Sequence, residues 1–501
     1  MMFDISRRRF LFTSSAAAVV AATGPAHAVT PLSSSLRPVA RGEDLRLRSL
    51  PSIEDLIARA KLDGTVGFSV IDTGSDTLLE GHGAETGMPP ASVAKALTAS
   101  YALEALGPGH HFSTVVLTTG PVEEGTVKGD IVLVGGGDPT LDTDGLASLV
   151  SDLAKAGVRK VSGRFLVCGD ALPYSAAIDP EQPEHVGYNP AVSGLNLNYN
   201  RVHFEWKKGG KDYSVSMDAR SETLRPAVEM AHMAVIARSL PVYTYADSNG
   251  RDEWTVARNA LGNGGSRWLP VRKPELYAGE VFRALSAGKG VVLPAPEVTP
   301  TSPGGTVVAS RESAPLRIIL RDMLKWSTNL TAEVVGMSAT RKRKGAAVSI
   351  RSSAEEMSAW ARETLGLTHV ALIDHSGLGD DSRIAAADMA RALTDVRKRL
   401  GLKPLLKAIP VLDDNRRAVR NAGMSIHAKT GTLNFVSGLA GFVDLDDGRE
   451  LAFAIFCGDL DRRAKLTRAE RERPDGAASW NARAKALQQA LIQRWGVLYA
   501  G

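Results

Sequence analysis

The sequence is poor in cysteine, and Cys168 and Cys457 are the two cysteines among its 501 residues. Disulfide-stabilised folds are richer in cysteine, so this chain must depend on a packed hydrophobic core. Cys457 follows an apolar run at residues 451–456, which favours a buried free thiol, although pairing of the two cysteines stays open. The ten histidines show no metal-ligand spacing, and we expect no metal and no organic cofactor.

The chain also lacks long hydrophobic runs and a strong excess of one charge. No stretch approaches the roughly 18 apolar residues that a membrane-spanning helix needs. The formal net charge is +5 and the basic residues are scattered, which argues against nucleic-acid binding. The glycines at 135–137 are followed by Asp-Pro and not by Gly-Lys-Ser/Thr, so a phosphate-binding loop is not predicted.

The first 28 residues have the features of a targeting segment. The sequence Ser-Arg-Arg-Arg-Phe-Leu at residues 6–11 precedes an apolar run at 12–22 and an Ala-x-Ala site at 26–28. The basic part resembles the bacterial twin-arginine export signal. We predict that residues 1–28 are a cleaved signal peptide and that the protein is periplasmic; a short N-terminal membrane anchor is the alternative.

The order of predicted elements indicates an α/β protein with an insertion. Helices are predicted at residues 53–60, 93–106, 146–156, 227–237, 278–287, 316–325, 330–340, 352–365, 386–400 and 477–495. Strands at 65–71 and 77–80 near the start, and at 425–430, 438–444 and 451–456 near the end, are expected to form one sheet flanked by helices. That domain would comprise residues 29–112 and 306–501, and residues 113–305 would be a β-rich inserted region.

Ser92 and Lys95 form the first motif that could carry chemistry. Two prolines at 89–90 precede a run of helix-forming residues, so Ser92 is expected in the first helical turn, with Lys95 on the same face. A hydroxyl beside an amine of lowered pKa is a plausible activated nucleophile. A second Ser-x-x-Lys sequence, Ser286 to Lys289, is followed by Gly290 in a poor helical context and is rejected.

Two further motifs that could carry chemistry follow along the chain. Ser327-Thr328-Asn329 lies at a predicted break between helices, and Lys429-Thr430-Gly431 enters a predicted strand. Ser327 could pass a proton to a leaving amine, and Asn329 could hold Lys95 or a substrate amide. Another Ser-x-Asn sequence, at 479–481, falls after the Lys-Thr-Gly sequence.

The Lys-Thr-Gly strand is predicted to bind the substrate. Lys429 could hold a substrate carboxylate, and the hydroxyls of Thr430 and Thr432 could donate to it. Gly431 lets a substrate backbone lie along the strand edge. The backbone N–H groups of Ser92 and Thr432 could form an oxyanion hole.

The three motifs resemble those of penicillin-binding D-alanyl-D-alanine carboxypeptidases and endopeptidases of low molecular mass, in the class with a large insertion between the first two motifs. The resemblance rests on Pro90-Ala91-Ser92, residues 136–141, residues 277–280, Asn329-Leu330-x-Ala332-Glu333, Asp374-x-Ser376-Gly377-Leu378 and residues 429–433. It implies a β-lactamase/transpeptidase-like domain with two inserted domains. The implied activity is removal of the terminal D-Ala from peptidoglycan stem peptides, or cleavage of their cross-links.

The resemblance also implies partners and one further site residue. Peptidoglycan stem peptides would be substrates and β-lactam antibiotics inhibitors, with possible peripheral membrane or cell-wall association; no oligomeric state follows. Asp170 is a candidate for holding the amine of the stem peptide's diamino acid, and a turn aspartate is the alternative. Segments 379–383 and 408–414 depart from the usual pattern near the expected substrate rim.

We therefore predict a serine-type D-Ala-D-Ala carboxypeptidase or endopeptidase in which Ser92 attacks and Lys95 accepts its proton. The identity of the general base is left open. A β-lactamase or esterase on the same scaffold, and a non-catalytic peptidoglycan-binding protein, are the alternatives.

Overall fold

The computed structural model describes residues 50–248, 250–413 and 416–500. The chain divides into two units, Met1–Leu50 and Pro51–Gly501, and the description below concerns the second. The predicted signal peptide lies outside the described residues. Among the described helices, none has the length and apolar character needed to cross a membrane.

The elements of the second unit are numbered in chain order. The helices are α1 (Ile53–Ala60), α2 (Ala94–Leu106), α3 (Thr143–Lys155), α4 (Pro274–Ala287), α5 (Leu316–Trp326), α6 (Asn329–Lys344), α7 (Ile350–Leu365), α8 (Ala386–Leu400), α9 (Leu460–Ala464) and α10 (Ala477–Leu498). Short 3-10 turns occur at Ala91–Val93, Asn198–Asn200, Arg258–Ala260, Lys403–Leu405 and Glu470–Glu472.

The strands are β1 (Thr65–Asp72), β2 (Thr77–His82), β3 (Ser113–Thr118), β4 (Val122–Glu123), β5 (Thr126–Val127), β6 (Ile131–Gly135), β7 (Lys160–Val161), β8 (Phe165–Cys168), β9 (Arg201–Gly209), β10 (Asp212–Asp218), β11 (Ala231–Ile236), β12 (Tyr243–Ser248), β13 (Arg251–Ala257), β14 (Gly264–Pro270), β15 (Pro296–Thr299), β16 (Thr306–Glu312), β17 (Val370–Ala371), β18 (Arg383–Ile384), β19 (Lys407–Ile409), β20 (Met424–Leu433), β21 (Val436–Leu445) and β22 (Glu450–Gly458).

The two ends of this unit form one antiparallel sheet. Its strand order is β19-β20-β21-β22-β1-β2. Alternate residues of the central strand β22 face opposite layers: Ala454 and Phe456 pack with α2 and α5–α8, and Phe453 and Ile455 pack with α1 and α10. Helices therefore cover both faces of the sheet, which is why β22 is apolar from Leu451 to Cys457 instead of alternating with polar residues. Cys457 is buried in this core as an unpaired thiol, as predicted.

Helix α2 runs through the interior on one side of this sheet. Most of its residues are buried, and the helix is apolar or small nearly all round, as expected for a helix enclosed by other elements. It packs mainly against α6 and α5. The single lysine of this helix, Lys95, is consequently buried with it.

The inserted region is built from strands and two helices. A five-stranded sheet of order β15-β8-β6-β3-β16 packs with α3 and α4, and three-stranded sheets form from β9, β10 and β14, from β11–β13, and from β4, β5 and β7. Strand β16 pairs with β3, so the chain returns from the insertion through that sheet. The β-rich character of the insertion and the α/β fold class are as predicted; the division into domains at 112 and 306 stays a prediction.

One predicted element is wrong. The helix expected at 227–237 is replaced by β11, which pairs in parallel with β13, bringing Met233 beside Trp254. Alanine and methionine favour helices, but burial on β13 outweighs this weak local preference.

Candidate active site

Ser92 lies where a tight turn leads into the buried helix α2. Residues Ala91–Val93 form a 3-10 turn, and Val93 N donates to Pro90 O at 3.1 Å. Ala91 has a φ of 47°, an uncommon left-handed value for a residue with a side chain. Gly377 packs against this turn so closely that a Cβ there would lie 1.8 Å from Ala91 O. The half-buried Ser92 side chain is thus presented from a constrained backbone.

Lys95 is the centre of the site. Its ammonium donates to Ser92 Oγ at 2.9 Å, to Asn329 Oδ1 at 2.8 Å and to Ser376 O at 2.7 Å. These three bonds use all three protons of a lysine ammonium. Burial lowers the pKa of Lys95 to about 8, although the carboxyls of Asp374 and Glu333 oppose the shift.

The second motif lies between two helices. Helix α5 ends at Trp326, the capping residue Ser327 has left-handed backbone angles, and α6 begins at Asn329. The Asn329 side chain accepts from Lys95 and donates from Nδ2 to Tyr188 O at 2.9 Å. Because one end of the amide meets a donor and the other an acceptor, its orientation is defined. The inserted region, which contains Tyr188, therefore contacts the site directly.

Lys429, on strand β20, belongs to the Lys-Thr-Gly motif and contacts the Ser-x-Asn motif. Its ammonium donates to Ser327 Oγ at 3.0 Å and to Thr430 O at 2.6 Å. Burial, together with the positive charges of Lys95 and Lys407, lowers the pKa of Lys429 to about 6. Hydrogen bonds thus join Ser92, Lys95 and Asn329 in one group and Ser327 and Lys429 in another. The charge of Lys95 acts between the groups by lowering the pKa of Lys429.

Gly431 brings strand β20 against the turn that holds Ser92. A Cβ at Gly431 would lie 2.6 Å from Pro90 O and 3.1 Å from Ser92 N, a separation that only glycine permits. Strand β19 pairs with β20 as far as Ala428, so within the described residues no sheet strand pairs with that edge beyond it. The exposed side chains of Thr430 and Thr432 lie on this part of β20.

Asp170 is not connected to these residues. Its carboxylate accepts a hydrogen bond from Ser302 N at 3.0 Å, at an exposed position after β8. In the described ranges, no hydrogen bond links Asp170 to the network around Lys95. Its proposed contact with substrate stays a prediction.

Sequence reasoning left two acidic residues of the site without a role. Glu333 and Asp374 are fully buried near Lys95, and both occur in motifs that supported the family resemblance. Glu333 follows Asn329 by four residues, so a helical face could have suggested its position. The carbonyls of Ser376 and Tyr188 are backbone groups, which a sequence pattern does not identify.

One group of potential metal ligands lies elsewhere. Glu85, His369 and Asp388 place one ligand atom each within 4.8 Å of one another. Hydrogen bonds already use these groups: Thr368 Oγ1 lies 2.8 Å from His369 Nδ1, and Asp388 accepts from the amides of Thr368 and His369. His369 Nδ1 also lies 3.2 Å from the Glu85 carboxylate, so these side chains contact one another directly. The expectation of no metal or cofactor stays a prediction.

The chain matches a protein-family model and is similar to several known proteins. The model of the D-Ala-D-Ala carboxypeptidase 3 (S13) family matches residues 50–488. A D-alanyl-D-alanine carboxypeptidase of Actinomadura sp. (strain R39) is 28% identical over 442 residues, covering 80% of this chain and 79% of that protein. The carboxypeptidase DacB of Haemophilus influenzae is 23% identical over 457 residues, covering 84% and 92%. The crystal structure of penicillin binding protein 4 from Haemophilus influenzae superposes with a TM-score of 0.68 at 21% identity, covering 84% of this chain and 98% of that one, which confirms the predicted fold class.

Proposed function

Since this chain belongs to the D-Ala-D-Ala carboxypeptidase 3 (S13) family, it is a serine-type D-Ala-D-Ala carboxypeptidase, and we propose that Ser92 is its nucleophile. The observation that carries the proposal is the 2.9 Å hydrogen bond between Ser92 Oγ and the buried Lys95 Nζ. Family membership does not favour the β-lactamase, esterase or non-catalytic alternatives.

Lys95 is the proposed proton acceptor. With a pKa of about 8, Lys95 is neutral in roughly a tenth of the molecules at pH 7. The free-energy cost of forming the neutral amine is therefore small, and the amine can act as a base. As Ser92 Oγ bonds to the carbonyl carbon of the penultimate D-Ala, its proton passes to Lys95. The same amine can return a proton when water later hydrolyses the ester.

Collapse of the tetrahedral intermediate requires a proton for the leaving D-Ala amine. Ser327 is the proposed donor, because its hydroxyl accepts from Lys429 at 3.0 Å and can be reprotonated from there. The C–N bond then breaks, D-Ala leaves as an amine, and the acyl group remains on Ser92. Water attacks this ester and releases the shortened peptide.

The oxyanion would be held by the backbone N–H groups of Ser92 and Thr432. The close contact of Gly431 with the Ser92 turn supports this pairing, because it keeps strand β20 next to the nucleophile. Each such donor contributes about 3–4 kcal/mol to the transition state of acyl-transfer enzymes.

Lys429, with the hydroxyls of Thr430 and Thr432, is proposed to bind the terminal carboxylate of the substrate. Its pKa of about 6 means that Lys429 is mostly neutral at pH 7 before substrate binds. A bound carboxylate would raise that pKa, so binding would be accompanied by uptake of a proton. The peptide would lie along the unpaired part of the β20 edge, as an added strand.

We extend the proposal to location and substrate. The export signal at residues 1–28 supports action in the periplasm, where stem peptides of peptidoglycan end in D-Ala-D-Ala. Cross-link cleavage would use the same attack on a D-Ala carbonyl, and β-lactams would acylate Ser92. Asp170 is retained as the proposed contact for the diamino acid's amine.

The nucleophile can be tested with a fluorescent penicillin and with release of free D-Ala from a D-Ala-D-Ala peptide. Ser92→Ala should abolish labelling and lower kcat by about 10³-fold or more, as expected when a nucleophile is removed. Ser286→Ala is the matched control, because Ser286 belongs to the second Ser-x-x-Lys sequence and its buried hydroxyl has no hydrogen-bond partner among the described residues. Labelling that survives in Ser92→Ala would overturn the assignment.

A further inference from the structure

A short loop at residues 374–379, called here the lysine-facing loop, supplies one of the three acceptors of Lys95. Ser376 O accepts from Lys95 Nζ at 2.7 Å, while Gly377 packs against the carbonyl of Ala91. The loop therefore contacts both the proposed base and the turn that holds the proposed nucleophile. The Ser376 carbonyl can accept this hydrogen bond only while the loop backbone places it beside Lys95. The contacts that hold the loop in this conformation therefore affect Lys95.

Two buried carboxylates hold the loop by its backbone amides. Glu333, on helix α6, accepts from Ser376 N at 2.9 Å and from His375 N at 3.1 Å, one amide on each oxygen. Asp374 accepts from Gly377 N at 2.5 Å and from Gly379 N at 2.6 Å. Both side chains are inaccessible to solvent. Together the two carboxylates bind the backbone N–H groups of residues 375, 376, 377 and 379, which surround the Ser376 carbonyl.

We propose that Glu333 is a positioning residue of the reaction, which holds the Ser376 carbonyl against Lys95 and balances the charge of its ammonium. This inference rests on the proposed role of Lys95 as proton acceptor. Glu333 does not touch Ser92 by a hydrogen bond, so it acts through the loop and through its charge.

The packing around the loop leaves little room for another arrangement. Gly336, on the same helix as Glu333, lies so close to the His375 ring that a Cβ there would be 2.2 Å from Cγ. On the other side, Thr98 Oγ1 of helix α2 donates to His375 O at 2.6 Å. The loop is thus held between the helix that carries Lys95 and the helix that carries Asn329 and Glu333.

The charges that face Lys95 come from three elements. Glu333 on α6 and Asp374 in the loop favour its ammonium form, and the charge of Lys95 in turn lowers the pKa of Lys429 on β20. Asp374 also faces Asp179 of the inserted region, and His375 beside Glu333 stays neutral because burial lowers its pKa to about 3. Burial raises the pKa of both carboxyls, and repulsion from Asp374 raises that of Glu333 further. The backbone N–H groups that each carboxyl accepts from, and the charge of Lys95, oppose these rises and favour the carboxylate forms.

The test is the pH dependence of acylation by a fluorescent penicillin in Glu333→Gln. Glutamine keeps the size but loses the charge and one amide acceptor, so both losses favour the neutral amine of Lys95. We expect the inflection near pH 8 to move to lower pH and the maximal rate constant to fall ~10- to 100-fold, as for loss of a hydrogen bond to a charged group. The rate constant is read from the molecules that label, so a partly unfolded sample changes only the amplitude.

Two further variants separate positioning from general disruption. Glu333→Asp keeps the negative charge but places it farther from the loop, because the side chain is one methylene shorter. It should lower the rate constant but move the inflection less than Glu333→Gln does. Glu356→Gln is the control, since Glu356 is a largely buried carboxylate that pairs with Arg343 and Lys344 and not with the loop. It should leave both the rate and the inflection unchanged.

The outcomes distinguish this inference from the function on which it rests. An unmoved inflection in Glu333→Gln, with or without a lower rate, would refute the positioning role while Ser92→Ala still abolishes labelling. Labelling that persists in Ser92→Ala would refute the proposed function itself. An equal movement of the inflection in Glu356→Gln would also contradict the inference, because the effect would then not be specific to the loop.

Discussion

Replacing Gly431 by alanine should weaken catalysis by separating strand β20 from the turn that holds Ser92. The added methyl carbon would lie 2.6 Å from Pro90 O, 3.1 Å from Ala91 Cβ and 3.1 Å from Ser92 N. The nearest of these atoms belongs to the backbone, which cannot rotate away as a flexible side chain could. The strand or the turn must therefore move.

The expected size of the effect follows from this contact. Overpacking by one methyl group costs about 1–3 kcal/mol, which corresponds to ~5- to 150-fold if most of it opposes the transition state. The strand is paired to β21 through Gly431 opposite Gly438, so displacement of β20 would also carry the N–H of Thr432 away from Ser92. We expect kcat/KM for a D-Ala-D-Ala peptide to fall ~10- to 100-fold.

The assay compares Gly431→Ala with Gly109→Ala, a position where an added Cβ meets no atom within 4 Å. Release of D-Ala and the rate of penicillin acylation are measured at one pH, with thermal unfolding to check the fold. The control should retain wild-type activity. A folded Gly431→Ala protein with kcat/KM within about twofold of wild type would refute the idea that this contact sets the oxyanion site.

Two further predictions concern pH. A plot of kcat/KM for a D-Ala-D-Ala peptide against pH should be bell-shaped, with inflections near pH 6 and pH 8. The physical reason is that Lys429 must carry a proton and Lys95 must lose one. A Lys429→Met variant that keeps both inflections would contradict this. The free energy of unfolding should fall as pH drops from 6.5 toward 3, because His375 takes up a proton in the unfolded chain but not in the buried site. Urea unfolding of wild type and His375→Gln would check this, since the variant should lose that part of the pH dependence; equal pH dependence in the two proteins would contradict it.

The sequence predicted regular elements best where local signals and burial agree. Helices α1 and α8 have the predicted bounds, and α1 begins after Ser52, whose hydroxyl accepts from Asp55 N as a capping residue. Strand β11 lies in a segment predicted as a helix. Alanine and methionine favour helices, whereas the pairing of β11 with β13, Ala231 opposite Asp252, is a tertiary contact that local preference does not contain. Local preference is informative only when tertiary contacts do not oppose it.

The site shows the same division between local and distant information. The relation of Ser92 to Lys95 could be predicted, because three residues on a helix place two side chains on one face. That Ser327 and Lys429 belong to one site could be expected only from the order of the motifs and the family resemblance, because no local spacing connects them. Their 3.0 Å hydrogen bond supports the roles proposed for them. Asp170 was named because the family resemblance implies an acidic residue at this place; its carboxylate bonds the amide of Ser302, and its contact with substrate stays a prediction.

Backbone carbonyls explain why side-chain motifs give an incomplete picture of this site. Asn329 can present its oxygen to Lys95 because its amide nitrogen is satisfied by Tyr188 O, a group of the inserted region. That segment is itself fixed, since Arg272 donates to the carbonyls of Glu184 and Asn189 on either side of Tyr188. The buried Arg272 thus holds the segment whose Tyr188 carbonyl orients the amide of Asn329. The insertion is therefore part of the site's construction, and its influence passes through main-chain atoms that no residue pattern would reveal.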